Sequence, residues 1–118
     1  MIKVSVFYPN SENCKFDIAY YCNSHMPMVK DKLGDACKGV AVDKGIAGGT
    51  PGSRSTYVAA GHLFFESVEA FQAAFGPHAK EIMADIPNYT DVKPVIEISS
   101  ILINAARGQT GELHLHVV

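Results

Sequence analysis

Ile2, Val4, Val6 and Tyr8 alternate with Lys3, Ser5 and Phe7 at the start of the chain. A period of two sends neighbouring side chains to opposite faces, so this stretch predicts a strand with one face in the core, ending at Pro9-Asn10. The period then changes. Asp17 can cap a helix whose apolar positions Ile18, Tyr21, Cys22, His25, Val29 and Leu33 follow steps of three and four, and Gly34 ends it. Pro27 has no N–H and disfavours a helical Met26, which predicts a kink or a restart there, with Pro27 in the first turn of the second half.

Residues 37–46 and 55–65 are rich in Val, Ala, Gly, Tyr and Phe, and Ala47-Gly48-Gly49-Thr50-Pro51-Gly52-Ser53-Arg54 separates them. That is the pattern of a hairpin with a long, mobile tip. Ser67 precedes Val68, Phe71, Phe75, His78, Ile82 and Ile86, a second amphipathic helix with a distortion expected at Gly76-Pro77. A last strand is expected near Lys93 to Ile103. The order β-α-β-β-α-β predicts an α+β, ferredoxin-like split βαβ sandwich, with antiparallel strands and both helices on one face.

The last strand carries Val95, Ile101 and Ile103 on one face and Ile96, Ile98 and Leu102 on the other, so both faces read as buried. Two helices cover only one face of such a sheet. The simplest cover for the other is the same surface of a second copy, because isologous two-fold dimers are the commonest oligomers. The expectation is a homodimer through the sheet face.

A chain of 118 residues is one domain by size. Ten Lys and Arg against twelve Asp and Glu, with no basic cluster, leave no electrostatic footprint for nucleic acid or an anionic membrane surface. No apolar run approaches the roughly 20 residues of a membrane span, and Met1-Ile2-Lys3-Val4 does not open a signal peptide. A cytoplasmic protein is expected. Cys14, Cys22 and Cys37 form no CxxC pair and read as reduced thiols. No Ser-His-Asp order, G-x-S-x-G elbow or dinucleotide fingerprint is present, and Gly48-Gly49-Thr50-Pro51-Gly52 lacks the lysine of a phosphate cradle. No cofactor and no metal are assigned.

His25 is the first candidate for chemistry, since an imidazole can serve as acid or base near neutral pH. Its helical phase points it inward, beside the break at Met26-Pro27 and an apolar wall of Phe7, Tyr20 and Tyr21. Two readings stand: a proton-transfer group, or a core histidine bonded to carbonyls that the break frees. His62 shares a strand face with Val58, Ala60 and Phe64, and His78 lies on the apolar side of the second helix. Each can line the same cleft as His25 or fill the core. Together the three could offer nitrogens to a metal, although their spacing matches no ligand motif. Tyr21 or Tyr57 could donate a hydrogen bond to a substrate oxygen. The expected site is therefore His25 and Tyr21 as catalytic groups, with Phe7, Tyr57, His62, Phe64 and His78 contacting the ligand. Glu97 needs a partner if buried, and Lys3 and Ser5 are the nearest across the sheet. Asp85 and Asp91 read as turn and cap residues. His114 and His116 alternate with Leu113, Leu115 and Val117 in a tail that could add a strand to the sheet edge or to the partner.

Phe7-Tyr8-Pro9, Phe16-Asp17, Tyr20-Tyr21, His25-Met26-Pro27 and the run Asp85-Ile86-Pro87-Asn88-Tyr89-Thr90-Asp91-Val92 together resemble the EthD-like family, named for a protein in a bacterial gene cluster for ethyl tert-butyl ether degradation. The resemblance spans residues 2–104 and leaves 105–118 as a C-terminal extension of a single domain covering 1–118. It implies a dimeric α/β barrel. Relatives of that architecture include cofactor-free monooxygenases, small decarboxylases or cyclases, and haem-degrading proteins. The resemblance thus implies a cofactor-independent oxidoreductase or a lyase or cyclase acting on a small apolar or aromatic molecule, with His25 as acid or base. The alternative it leaves is a non-catalytic accessory or ligand-binding protein of an oxygenase or degradation pathway.

Overall fold

The computed structural model describes residues 1–104. Expectations for the tail, including His114 and His116, lie outside the described residues. Strands β1 (Ile2–Pro9), β2 (Gly39–Lys44), β3 (Tyr57–Phe65) and β4 (Val95–Ser100) form one sheet in the order β2-β3-β1-β4, with all neighbours antiparallel. Between them run the helical segments α1 (Ile18–Tyr20) and α2 (Met26–Leu33), then α3 (Val68–Phe75) and α4 (Ala79–Ala84). This is the ferredoxin-like α+β arrangement expected from the periodicities.

The caps form as the side chains dictate. Asp17 Oδ1 accepts from the Tyr20 N–H at 3.0 Å, and Ser67 Oγ accepts from the Ala70 N–H at 3.0 Å. Gly34 ends α2 at φ 64°, a conformation that favours glycine. Gly76–His78 forms a short 3₁₀ turn where Gly76-Pro77 interrupts the second helix. The expected break at Met26-Pro27 takes a different form. Tyr21–His25 forms a π turn, in which the Met26 N–H donates to the Tyr21 carbonyl, and α2 starts behind it with Pro27 in its first turn. Proline cannot donate to the carbonyl four residues back, and the wider turn absorbs that loss without ending the helix.

One face of the sheet holds the core. Val4 and Tyr8 of β1 and Ala59, Leu63 and Phe65 of β3 pack against Tyr21, Met26, Val29, Leu33 and Ile82 from the helices. Burying a side chain such as Phe65, which is 0% exposed, is worth about 1.5–3 kcal/mol. The opposite face carries Ser5, Phe7, Ala60, His62 and Phe64 and has no layer over it among the described residues.

β4 departs from its expected burial. In the single chain Val95 on one face and Ile96 and Ile98 on the other are 54%, 49% and 43% exposed. β4 is an edge strand, and the helices centre over β1 and β3. The strand also stops at Ser100, so Ile101, Leu102 and Ile103 lie beyond it. Glu97 pairs in register with Ser5, yet it is exposed and takes its hydrogen bond from Ser99, at 3.4 Å.

Candidate active site between the helices and the sheet

Distant parts of the chain are clamped together to make the site. The Asp17 N–H donates to the Tyr89 carbonyl at 2.8 Å, the Thr90 hydroxyl donates to the Lys15 carbonyl at 2.6 Å, and the Lys15 N–H donates to Asp91 Oδ1 at 2.9 Å. Asp91 thus has the structural role read for it. These bonds hold the segment after α4 against the start of α1, and that delivers Asp85 and Tyr89 to the π turn.

His25, 4% exposed, faces inward from that turn. Its Nδ1 lies 2.8 Å from Asp85 Oδ2. The other carboxylate oxygen, Oδ1, accepts from the Tyr20 hydroxyl at 2.8 Å and from Asn88 Nδ2 at 2.8 Å. Burial pushes the Asp85 carboxyl up, but the hydrogen bonds from Asn88, His25 and Tyr20 outweigh it and hold the group below the usual carboxylate range. An ionised carboxylate can only accept, so the proton of a neutral His25 sits on Nδ1 and Nε2 keeps its lone pair. Nε2 lies 3.5 Å from the Tyr89 hydroxyl.

Two tyrosine rings, Tyr21 and Tyr89, pack against the imidazole, and Tyr8 packs against both of them. The Tyr21 ring stacks on His25 with centroids 5.4 Å apart and planes 13° from parallel. The hydroxyls of Tyr8 and Tyr89 lie 2.5 Å apart. Burial pushes the hydroxyls of Tyr8, Tyr21 and Tyr89 far above the ordinary phenol range, so all three stay neutral. Gly61 makes this packing possible, because a Cβ there would overlap the Tyr21 hydroxyl and sit 3.2 Å from Cζ of a ring that is 1% exposed.

A cavity of about 70 Å³ lies beside these groups. Tyr8, Tyr21 and His25 form its polar edge, and its walls include Val4, Val29, Leu63, Phe71, Phe75 and Ile96. Tyr21 and His25 are therefore brought together as the sequence suggested. The freed-carbonyl role considered for His25 is replaced by a carboxylate partner.

The other expected ligand contacts lie elsewhere. Phe7, adjacent to Tyr8 in a strand, must point away from it, and its ring packs on Tyr57 at 4.8 Å and edge-on to His62 at 6.0 Å. Phe64 shares that far face through its register with Lys3. His62 Nε2 donates to Asp43 Oδ2 and its Nδ1 accepts from the Ser5 hydroxyl, each at 2.8 Å. Phe7, Tyr57, His62 and Phe64 thus form a separate group on the uncovered face. His78 does not line the cavity, and its Nδ1 lies 3.7 Å from Glu81, too far for a hydrogen bond. With His25 and His62 on opposite faces of the sheet, the three histidines share no metal site.

Asp85, read as a turn residue, instead holds the imidazole, and Tyr8, Tyr20 and Tyr89 complete the group. Asp85 and Tyr89 stand four apart in the Asp85–Val92 run that carries the family resemblance. That was the available signal.

The EthD domain family matches residues 15–93 of the chain. Those residues include His25, Asp85 and Tyr89. The crystal structure of an EthD-like protein from Ralstonia eutropha JMP134 is 47% identical, superposes with a TM-score of 0.86, and covers 89% of this chain and 95% of its own. An ethyl tert-butyl ether degradation (EthD) family protein from Bacillus halodurans C-125 shares the fold at 19% identity and a TM-score of 0.59, covering 86% of this chain and 99% of that one. No curated protein matches the chain. With the family matched over most of the chain and a near neighbour in both sequence and fold, the protein belongs to the EthD family.

Proposed function

We propose that the protein binds a small apolar organic molecule between its helices and sheet and moves a proton on it, with His25 as the acid–base group. The observation that carries this reading is the 2.8 Å contact between His25 Nδ1 and Asp85 on an imidazole that borders an apolar cavity. A carboxylate behind Nδ1 fixes the tautomer, orients the ring and stabilises the imidazolium formed when Nε2 accepts a proton. A general base needs this arrangement. In this reading Tyr21, kept neutral by burial, donates to a substrate oxygen. Such chemistry serves proton abstraction and elimination or cyclisation, and it is the acid–base part of a cofactor-free oxidation.

The test compares wild type with His25→Ala in a thermal-shift and turnover screen of small ketones, alcohols, phenols and quinones. A bound ligand raises the apparent stability by mass action. Ligands that stabilise both proteins but turn over only with the wild type support the proposal. Full turnover by His25→Ala overturns it.

A binding role without chemistry has one observation in its favour. The Tyr8 and Tyr89 hydroxyls already satisfy each other at 2.5 Å. Ligand binding with no turnover by the wild type identifies that role.

The assembly we infer is a homodimer through the uncovered sheet face. Half-buried Phe7 and Phe64 and exposed Val95 support it, since one copy leaves them without a covering layer. A monomer by light scattering at micromolar concentration overturns it.

A further inference from the structure

We propose that the cavity beside His25 selects an uncharged ligand, a carbonyl or hydroxyl compound on a slim apolar skeleton, and rejects the carboxylate of the same shape. The inference deepens the proposed ligand site and rests on it.

Among the described residues, no lysine or arginine lines the cavity. Its polar edge consists of two neutral phenols and an imidazole, and behind that imidazole sits the ionised Asp85 carboxylate. Within the lining an entering group therefore finds no cation, and the fixed charge against the imidazole is negative; Lys93 stands outside, on the surface adjoining Met83 and Pro94. Lys32, across on α2, is already paired with Glu81 at 3.2 Å. A carboxylate entering here would shed its hydration without gaining a cation, which an apolar site punishes heavily. Protonating His25 does not reverse this, because the imidazolium would be neutralised as a pair with Asp85. A neutral oxygen has no such penalty. It can accept from a tyrosine hydroxyl or from a protonated His25, and a hydroxyl can also donate to Nε2.

Size narrows the class further. The cavity, at about 70 Å³, is smaller than the roughly 150 Å³ known to admit a benzene ring. A slim head group fits it directly. The rest of the molecule has an apolar way out, since the wall residues Ile96 and Met83 are 49% and 43% exposed and so stand at the mouth. The flexible thioether of Met83 lets that mouth adapt.

The experiment uses the intact chain and ligands of matched length: 2-heptanone, 1-heptanol and heptanoate at pH 7.5, followed by thermal shift and calorimetry. The two neutral compounds should bind, and heptanoate should bind at least ten-fold more weakly. In Ile96→Arg, which sets a cation at the half-exposed mouth, heptanoate should gain affinity relative to the neutral pair. Heptanoate binding the wild type as tightly as the neutral compounds overturns the charge selection and leaves the ligand site standing. Failure of all three to bind removes the ligand site, and this inference with it.

Discussion

His25 and His62 each meet an aspartate oxygen at 2.8 Å, yet only His25 borders the cavity between helices and sheet. Asp85 has a side chain 17% exposed, and Tyr20 and Asn88 also bond it. The Asp43 side chain is 67% exposed in the single chain. His25 borders a cavity with Nε2 turned towards Tyr89, whereas both nitrogens of His62 are engaged, one by Ser5 and one by Asp43. The two contacts differ in what the second nitrogen meets. At His25 it is a phenol hydroxyl 3.5 Å away, and at His62 a serine hydroxyl at 2.8 Å.

The comparison breaks most severely at Gly61. Gly61→Ala would drive a methyl group into the Tyr21 hydroxyl, and overpacking a buried site of this kind costs about 1–3 kcal/mol. Urea denaturation should show that loss together with weaker ligand binding, while the His62 group on the other face keeps its geometry.

Removing each aspartate sharpens the contrast. Asp85→Ala leaves a buried imidazole N–H without its acceptor, a loss of about 1–3 kcal/mol. Asp43→Ala should lose under about 1 kcal/mol, because water can replace an exposed carboxylate. Equal losses in chemical denaturation would show that the two pairs are equivalent after all.

The smallest expected effect is in pH dependence. The Asp85 carboxyl is lowered in the folded protein, so its contribution to stability is complete above the unfolded-state value of roughly 3.9 and is lost as the pH falls through the lower folded value. The stability gap between wild type and Asp85→Asn should therefore be widest above about pH 5 and should close in acid. A gap independent of pH would mean that the charge of Asp85 contributes nothing to the fold.

Much of the architecture was legible in local patterns. The alternation from Ile2 to Tyr8, the caps Asp17 and Ser67 and the glycine at 34 act over a few residues, and each appears where the chain put it. Phe7 shows how the same rule can be misapplied. Its neighbour Tyr8 faces the helices, so Phe7 had to face away and could not wall the site of His25. β4 reads as buried on both faces because its residues are apolar, but in the single chain burial depends on what lies over a strand, and the helices leave Ile96 and Ile98 of this edge strand half exposed.

Sequence alone determined the order of strands and helices, the inward phase of His25 and Tyr21, and the family, because these follow from short periodic patterns and contiguous motifs. Tertiary structure decided the partner of His25. Asp85 lies 60 positions away, and only the clamp between Lys15, Asp17 and residues 89–91 brings it to the π turn. Tertiary structure also sorted the histidines onto opposite faces of the sheet. Contacts across such separations depend on how elements pack, and no local preference encodes them.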